Sequence, residues 1–235
     1  GIILLQTLGM AGSLNPGSMK LHSVEMIHLI AEAERRAFAD RAEYAGDPDF
    51  VKVPVEGLIE DGYLKQRFAG FNHSKASPSA TIAAGIPRGY EKMETTHYSV
   101  VDSHGNAVAA TTTLNDTFGS SIVVDSAGFL MNNQMDDFSV KPGIPNMYGL
   151  VGGEANSIAP GKRMLSSMTP VIVEKDGKLF MVAGSPGGST IPTSVLQVLV
   201  NVIDHGMNIR QAVDTGRFHH QWLPDYLSYE DNSLD

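Results

Sequence analysis

Threonines stand on both sides of one polar turn. The run METTHYSVVDSHG carries Thr95 and Thr96, and NAVAATTTLN, just beyond it, carries Thr111, Thr112 and Thr113. A threonine hydroxyl is a weak nucleophile unless a base lies beside it, and one such base is the residue's own α-amino group once the chain is cut before it. A free α-amino group titrates at roughly 7.7–8.0, which suits it to accept a proton near neutral pH. This device needs a cleavable segment that ends at a threonine opening a strand, and the step from Glu94 to Thr95 offers one. Threonine is also simply a good strand former. On these residues alone both readings stand.

Other stretches carry chemistry of less definite kind. NNQMDD gathers amides and carboxylates; it reads as a polar turn or a poor calcium site, and it lacks the spacing of an EF-hand loop. LSSM, with Ser166 and Ser167, can be a cap or a turn. SPGGS places Gly187 next to Gly188, with no phosphate-loop lysine behind them. Adjacent His219 and His220 invite a zinc site, but neighbouring side chains point apart and no third ligand is evident, so they read as structural. Trp222 reads as a packing residue.

The elements that must position these residues fall into two unlike halves. SVEMIHLIAEAERRAFADRAEYAG has helical periodicity, with Val24, Ile27, Ala31, Phe38, Ala42 and Ala45 on one face and Glu32, Arg36, Asp40 and Glu43 on the other. Ser23 is its expected N-cap, and Gly46 with Pro48 its stop. A second helix is expected over about 57–71, then a flexible Ser/Pro/Gly-rich linker, NHSKASPSATIAAGIPRGYEKME. Strand patterns follow: a hairpin of 95–102 and 107–114 around SHGN, shorter strands near 121–124, 128–132, 171–174 and 179–183, and a helix over about 192–205 closed by Gly206. Helices, then strands, then a buried helix indicate α+β layers.

The 235 residues are enough for a sizeable core without metals or disulfides. Cysteine is absent, which excludes thiol catalysis and thiolate metal sites. The net charge of -9, without a basic cluster, argues against nucleic acid as a partner. No apolar run approaches the ~20 residues of a membrane span, and GIILLQTLGM lacks the flanks of a signal peptide.

Taken in order and at these spacings, TTHYSVVDSHGNAVAATTTLN, MNNQMDDFSVKPG, NMYGLVGG, KRMLSSMTP, GSPGGS and RFHHQWLPD closely resemble the γ-glutamyltranspeptidases (glutathione hydrolases), over nearly the whole chain. The resemblance implies the four-layer αββα sandwich of the N-terminal-nucleophile hydrolases, incomplete in this chain. Residues 1–94 would be the helical end of a large subunit, and 95–235 the first and central part of a small catalytic subunit. It implies autocatalytic cleavage between Glu94 and Thr95, with Thr95 as nucleophile, Thr113 beside it, and the N–H groups of Gly187 and Gly188 as oxyanion hole. Asn115, Gln134 and Asp137 would hold the donor's α-amino group, Ser166 and Ser167 its α-carboxylate, and Tyr148 would cover it. Asp136, Thr96, Thr111 and Thr112 are expected to be structural.

The implied activity is hydrolysis and transfer of γ-glutamyl groups. The small-molecule partners would be glutathione, other γ-glutamyl amides, amino-acid or dipeptide acceptors and water, with no cofactor and a periplasmic or secreted location. A cephalosporin-acylase or poly-γ-glutamate-transferase type of amidase is the alternative within the same chemistry, and a non-catalytic remnant the alternative outside it. The sequence departs from the family at Met164, Thr190 and Pro192. It reads as an internal piece, without the upstream arginine for the γ-glutamyl carboxylate, since Arg35, Arg36 and Arg41 lie outside that arginine's motif. Expressed alone it is expected to be inactive and to expose apolar surface.

Overall fold

The computed structural model describes residues 1–82, 95–230 and 233. The step from Glu94 to Thr95 and most of the expected linker therefore lie outside the described residues. Four helices come first: α1 (Ile2–Gly12), α2 (Val24–Tyr44), α3 (Val55–Ile59) and α4 (Asp61–Phe68). The strands follow: β1 (Thr96–Val101), β2 (Ala107–Thr112), β3 (Val123–Val124), β4 (Phe129–Leu130), β5 (Val171–Lys175) and β6 (Lys178–Ala183). Helices α5 (Ile191–Ile203) and α6 (Ile209–Asp214) and a last ladder, β7 (Phe218–His219) with β8 (Ser228–Tyr229), complete the order.

Ser23 caps α2 as expected, accepting from Met26 N at 3.3 Å. Its end differs. The helix stops at Tyr44, Ala45 turns extended, and Gly46 is needed for close approach, because a Cβ there would stand 2.2 Å from the carbonyl oxygen of Ala155. The expected polar face is also corrected. Glu32, Arg36 and Asp40 are buried and paired, while Val24 is 82% exposed. Glu32 bonds Arg35, Arg36 and Ser77, and Asp40 accepts from Gln6, Tyr63 and Arg67. Buried charge is tolerated because each is met by an opposite charge and further donors. The single helix expected over 57–71 is two, since Glu60 between them is extended (ψ 134°).

Part of the expected linker is packed. Ser77 N donates to Glu32 Oε1 at 2.9 Å and Ser79 N to Asp225 Oδ2 at 2.7 Å.

Both hydrophobic clusters mix residues from either side of the described gap. One joins Leu29, Phe38 and Phe68 to Tyr148, Leu150 and Trp222; the other joins Leu4, Met26 and Ile30 to Met181, Ile191, Val195 and Phe218. Residues 1–82 and 95–230 thus have no separate cores, although helices dominate the first and all the strands lie in the second.

Among the described residues the strands form antiparallel pairs, β1–β2, β3–β4, β5–β6 and β7–β8, and no wider sheet. The β5–β6 hairpin turns at Asp176 and Gly177, both at positive φ (54° and 71°), as a two-residue turn with the strands' own twist requires. It lies against β1–β2, with the His97 ring so close to Gly184 that a Cβ there would stand 2.2 Å away. The α+β class is present, with the β1–β2 and β5–β6 hairpins adjacent. Tyr98, Val100, Val101 and Val108 on β1–β2 remain about half exposed. No helix among the described residues is long and apolar enough to cross a membrane.

Candidate active site

The β1–β2 register pairs Thr96 with Thr112, so one further step brings Thr95 opposite Thr113. Thr95 Oγ1 donates to Thr113 Oγ1 at 3.3 Å, and Thr113 Oγ1 also accepts from Asn115 N at 2.9 Å. Thr113 thereby fixes where the Thr95 oxygen sits. The turn that sets this register is held by Asp102, whose carboxylate accepts from His104 N and Asn106 N. Thr111, on the same strand, meets His97 Nδ1 at 2.8 Å. His97 was not singled out from sequence; its imidazole pKa is lowered by burial.

Thr95 and Thr113 share a small cavity with Asn115, Gln134, Asp137, Tyr148, Ser166, Ser167 and Gly188. It holds about 20 Å³, the room of one water. Every residue expected at the site is in its wall except Gly187, which precedes Gly188 at φ 136° and whose carbonyl accepts from Thr190 N.

Several wall residues are tied to segments distant in sequence. Gln134 and Asp137 lie in a 3-10 turn, Gln134–Asp137. Asn156 ties that turn to the serine loop: its Nδ2 donates to the Asp137 carbonyl at 2.8 Å and its Oδ1 accepts from Leu165 N at 3.0 Å. Arg163 anchors the start of the loop, through its side chain and backbone N–H, on Asp47, whose carboxyl it holds far below the usual range. Ser166 Oγ accepts from Met168 N at 3.1 Å, and Ser167 Oγ from Arg41 Nη2 at 3.4 Å. With an acceptor position filled on each, the hydroxyl protons of both serines can be donated elsewhere.

Asp136 accepts from Met147 N at 2.7 Å, so it shapes the 146–150 loop that presents Tyr148. The Tyr148 hydroxyl donates to the Asn115 carbonyl, and Gln221 Nε2 donates to the Tyr148 carbonyl at 3.0 Å. Its ring lies on Gly188, where a Cβ would stand 2.9 Å from Cε1 and where φ is +52°; glycine meets both demands. His219 and His220 hold structural bonds. His219 meets Thr193 Oγ1 and Gln221 Oε1, and His220 Nδ1 accepts from Trp222 N, with burial lowering their pKa values to about 4 and about 3. Trp222 is buried and its Nε1 donates to the Ser79 carbonyl at 3.2 Å. Asp137 has its pKa raised to about 6, first by burial, with Arg41 opposing and Asp136 adding to the rise.

The γ-glutamyltranspeptidase family model matches residues 1–235. The chain belongs to that family. It is 54% identical over 230 residues to the glutathione hydrolase proenzyme of Escherichia coli K12, covering 98% of this chain and 40% of the relative. It thus spans about two fifths of the length of the curated relatives it matches. The Helicobacter pylori γ-glutamyltranspeptidase T380A mutant superimposes with a TM-score of 0.59 at 61% identity, over 60% of this chain and 75% of that one. A cephalosporin acylase from Bacillus halodurans gives 0.71 at 25% identity, over 93% of this chain and 36% of that one. The fold is that of the N-terminal-nucleophile hydrolases, as the resemblance implied. Sequence reasoning did not place Arg41, Asn156 or Met168 at the site; Arg41 and Asn156 carry no local signal, since both act through long-range contacts.

Proposed function

We propose that the protein carrying this chain hydrolyses and transfers γ-glutamyl groups from glutathione and related amides, after cutting itself between Glu94 and Thr95. The observation that carries the reading is the Thr95–Thr113 contact at a cavity walled by a carboxylate, amides and two serine hydroxyls. Family membership and relatives named as proenzymes support it. In processing, the Thr95 hydroxyl attacks the Glu94 carbonyl, the peptide shifts to an ester, and water releases a new amino terminus.

In catalysis that α-amino group takes the Thr95 hydroxyl proton as the oxygen attacks the donor's γ-carbonyl. The N–H groups of Gly187 and Gly188 would receive the oxyanion. The C–N bond breaks, the amine leaves with the proton, and the γ-glutamyl ester on Thr95 passes to water or to an acceptor amine. Asp137, with Asn115 and Gln134, pairs the donor's ammonium. Ser166 and Ser167 donate to its α-carboxylate, and Tyr148 closes over it. Residues 1–94 and 95–235 would act as large- and small-subunit parts that stay joined through their shared clusters. The protein is read as exported, periplasmic or secreted, on family resemblance.

Intact-mass measurement of the full-length protein tests this. Scission is expected between Glu94 and Thr95 and should be absent in Thr95→Ala, with activity toward γ-glutamyl-p-nitroanilide falling by roughly 10⁴-fold or more. A cut elsewhere refutes the processing step. Turnover of a glutaryl amide in preference to the γ-glutamyl one would favour the acylase reading, which the matching acylase fold keeps in view.

A further inference from the structure

Most arginines of this chain sit against a carboxylate. Arg35, Arg36, Arg67, Arg163, Arg210 and Arg217 each have one within 4.0 Å. Arg41 is the exception among the described residues: its guanidinium donates to the Ser167 hydroxyl oxygen, at 3.4 Å. With Ser166, Ser167, Thr169 and Pro192 it lines a cavity of about 110 Å³ next to the site.

We infer that Arg41 is a positioning residue for the γ-glutamyl site, filling an acceptor position of Ser167 so that its hydroxyl proton turns outward to the donor's carboxylate. The placement follows from donor and acceptor counting. The guanidinium only donates, so Ser167 Oγ accepts from it at 3.4 Å and the serine proton points elsewhere. Neighbouring charge agrees with this placement. Burial and neighbouring Asp136 both favour the neutral Asp137 acid, and Arg41 is the opposing positive charge. The coupling is mutual, since Asp137 supports the charged form of Arg41 against its own burial. The donor contacts are those of the function proposed above, so the inference rests on that reading.

The test compares Arg41→Gln, Arg41→Lys and Asp137→Asn in the full-length protein with γ-glutamyl-p-nitroanilide, following kcat and KM separately from pH 5 to 9. Arg41→Gln should cut itself normally and raise KM more than it lowers kcat. Its acid limb of kcat/KM should move up by about one pH unit, a tenfold change in ionised fraction. Arg41→Lys keeps the charge but not the planar fork; its acid limb should stay in place while KM rises. Asp137→Asn should abolish the acid limb.

If Arg41→Gln leaves the limb and KM unchanged while Asp137→Asn removes the limb, the inference is overturned and the site reading survives. If Asp137→Asn itself keeps wild-type kcat/KM and profile, the site reading fails first. Should Arg41→Gln not fold, Arg41→Lys decides alone, and a wild-type KM in it overturns the positioning of Ser167.

Discussion

One helix carries arginines into two opposite settings. At Arg35 and Arg36, α2 enters a network in which donors and acceptors meet. Glu32 takes both guanidinium groups and the Ser77 hydroxyl, and Arg35 reaches on to Ser79 and Asp225. Within two turns, Arg41 ends on a single serine, beside a carboxyl whose pKa is pushed up rather than down. Glu32, by contrast, has its pKa lowered on balance: burial raises it, and bonds from Ser77 and Arg36 with the charge of Arg35 outweigh that. The first corner is complete without a ligand and holds residues 77–79 and 225 onto the helix. The second keeps hydroxyl protons and a raised carboxyl facing a cavity, an arrangement that, on the function proposed above, an ammonium and a carboxylate would complete.

The sharpest way to break this contrast is to remove the carboxylate of the incomplete corner. Asp137→Ala should leave folding and self-cleavage intact and lose roughly 3–5 kcal/mol of transition-state binding, a loss of kcat/KM of about 10²–10⁴-fold, because the substrate ammonium is left unpaired. Wild-type kcat/KM would remove Asp137 from the site. In the wild type, kcat/KM should fall as pH drops through about 6, where Asp137 takes a proton.

The complete corner should answer in stability. Glu32→Ala leaves buried Arg36 without a carboxylate and Arg35 with Asp225 alone, and should cost about 3 kcal/mol, a Tm loss on the order of 5–10 °C by calorimetry. Protein that folds should keep its KM. A raised KM with unchanged Tm would reverse the assignment of the two corners.

A smaller effect is expected at Glu34, fully buried on the same helix, with Oε2 accepting from His220 N and Oε1 unpartnered. Burial raises its pKa well above 4.5. A folded state that holds this proton loses stability relative to the unfolded chain as pH rises from about 4.5 toward the folded pKa. Glu34→Gln should therefore raise Tm at pH 8 and change it little at pH 4.5; an equal shift at both would refute the protonated carboxyl. The smallest effect is the control: Arg210→Ala breaks an exposed pair with Asp214 at 3.5 Å and should leave Tm and KM at wild-type values.

Much of the candidate site was legible before any coordinates. Alternation and the SHGN turn define the β1–β2 hairpin, and a hairpin register follows from its turn, so Thr95 and Thr113 had to meet. The Ser23 cap was likewise readable, because it depends on residues near one another in the chain; the motifs around Asp137, the serine pair and Gly188 read alone as turns or caps, and only the family resemblance marked them as a site. The tertiary structure alone decided which face of α2 is buried. A helical pattern reports which residues share a side, but not whether a second layer of polar partners covers the other one. Glu32, Asp40 and Glu34 are inside because Ser77, Arg67 and the 220–225 segment arrive there from 27 to 186 residues away. Arg41 looks in sequence like any exposed helical cation. Its place beside Ser167, 126 residues on, depends on how the whole chain packs, a non-local outcome that periodicity and propensity do not contain.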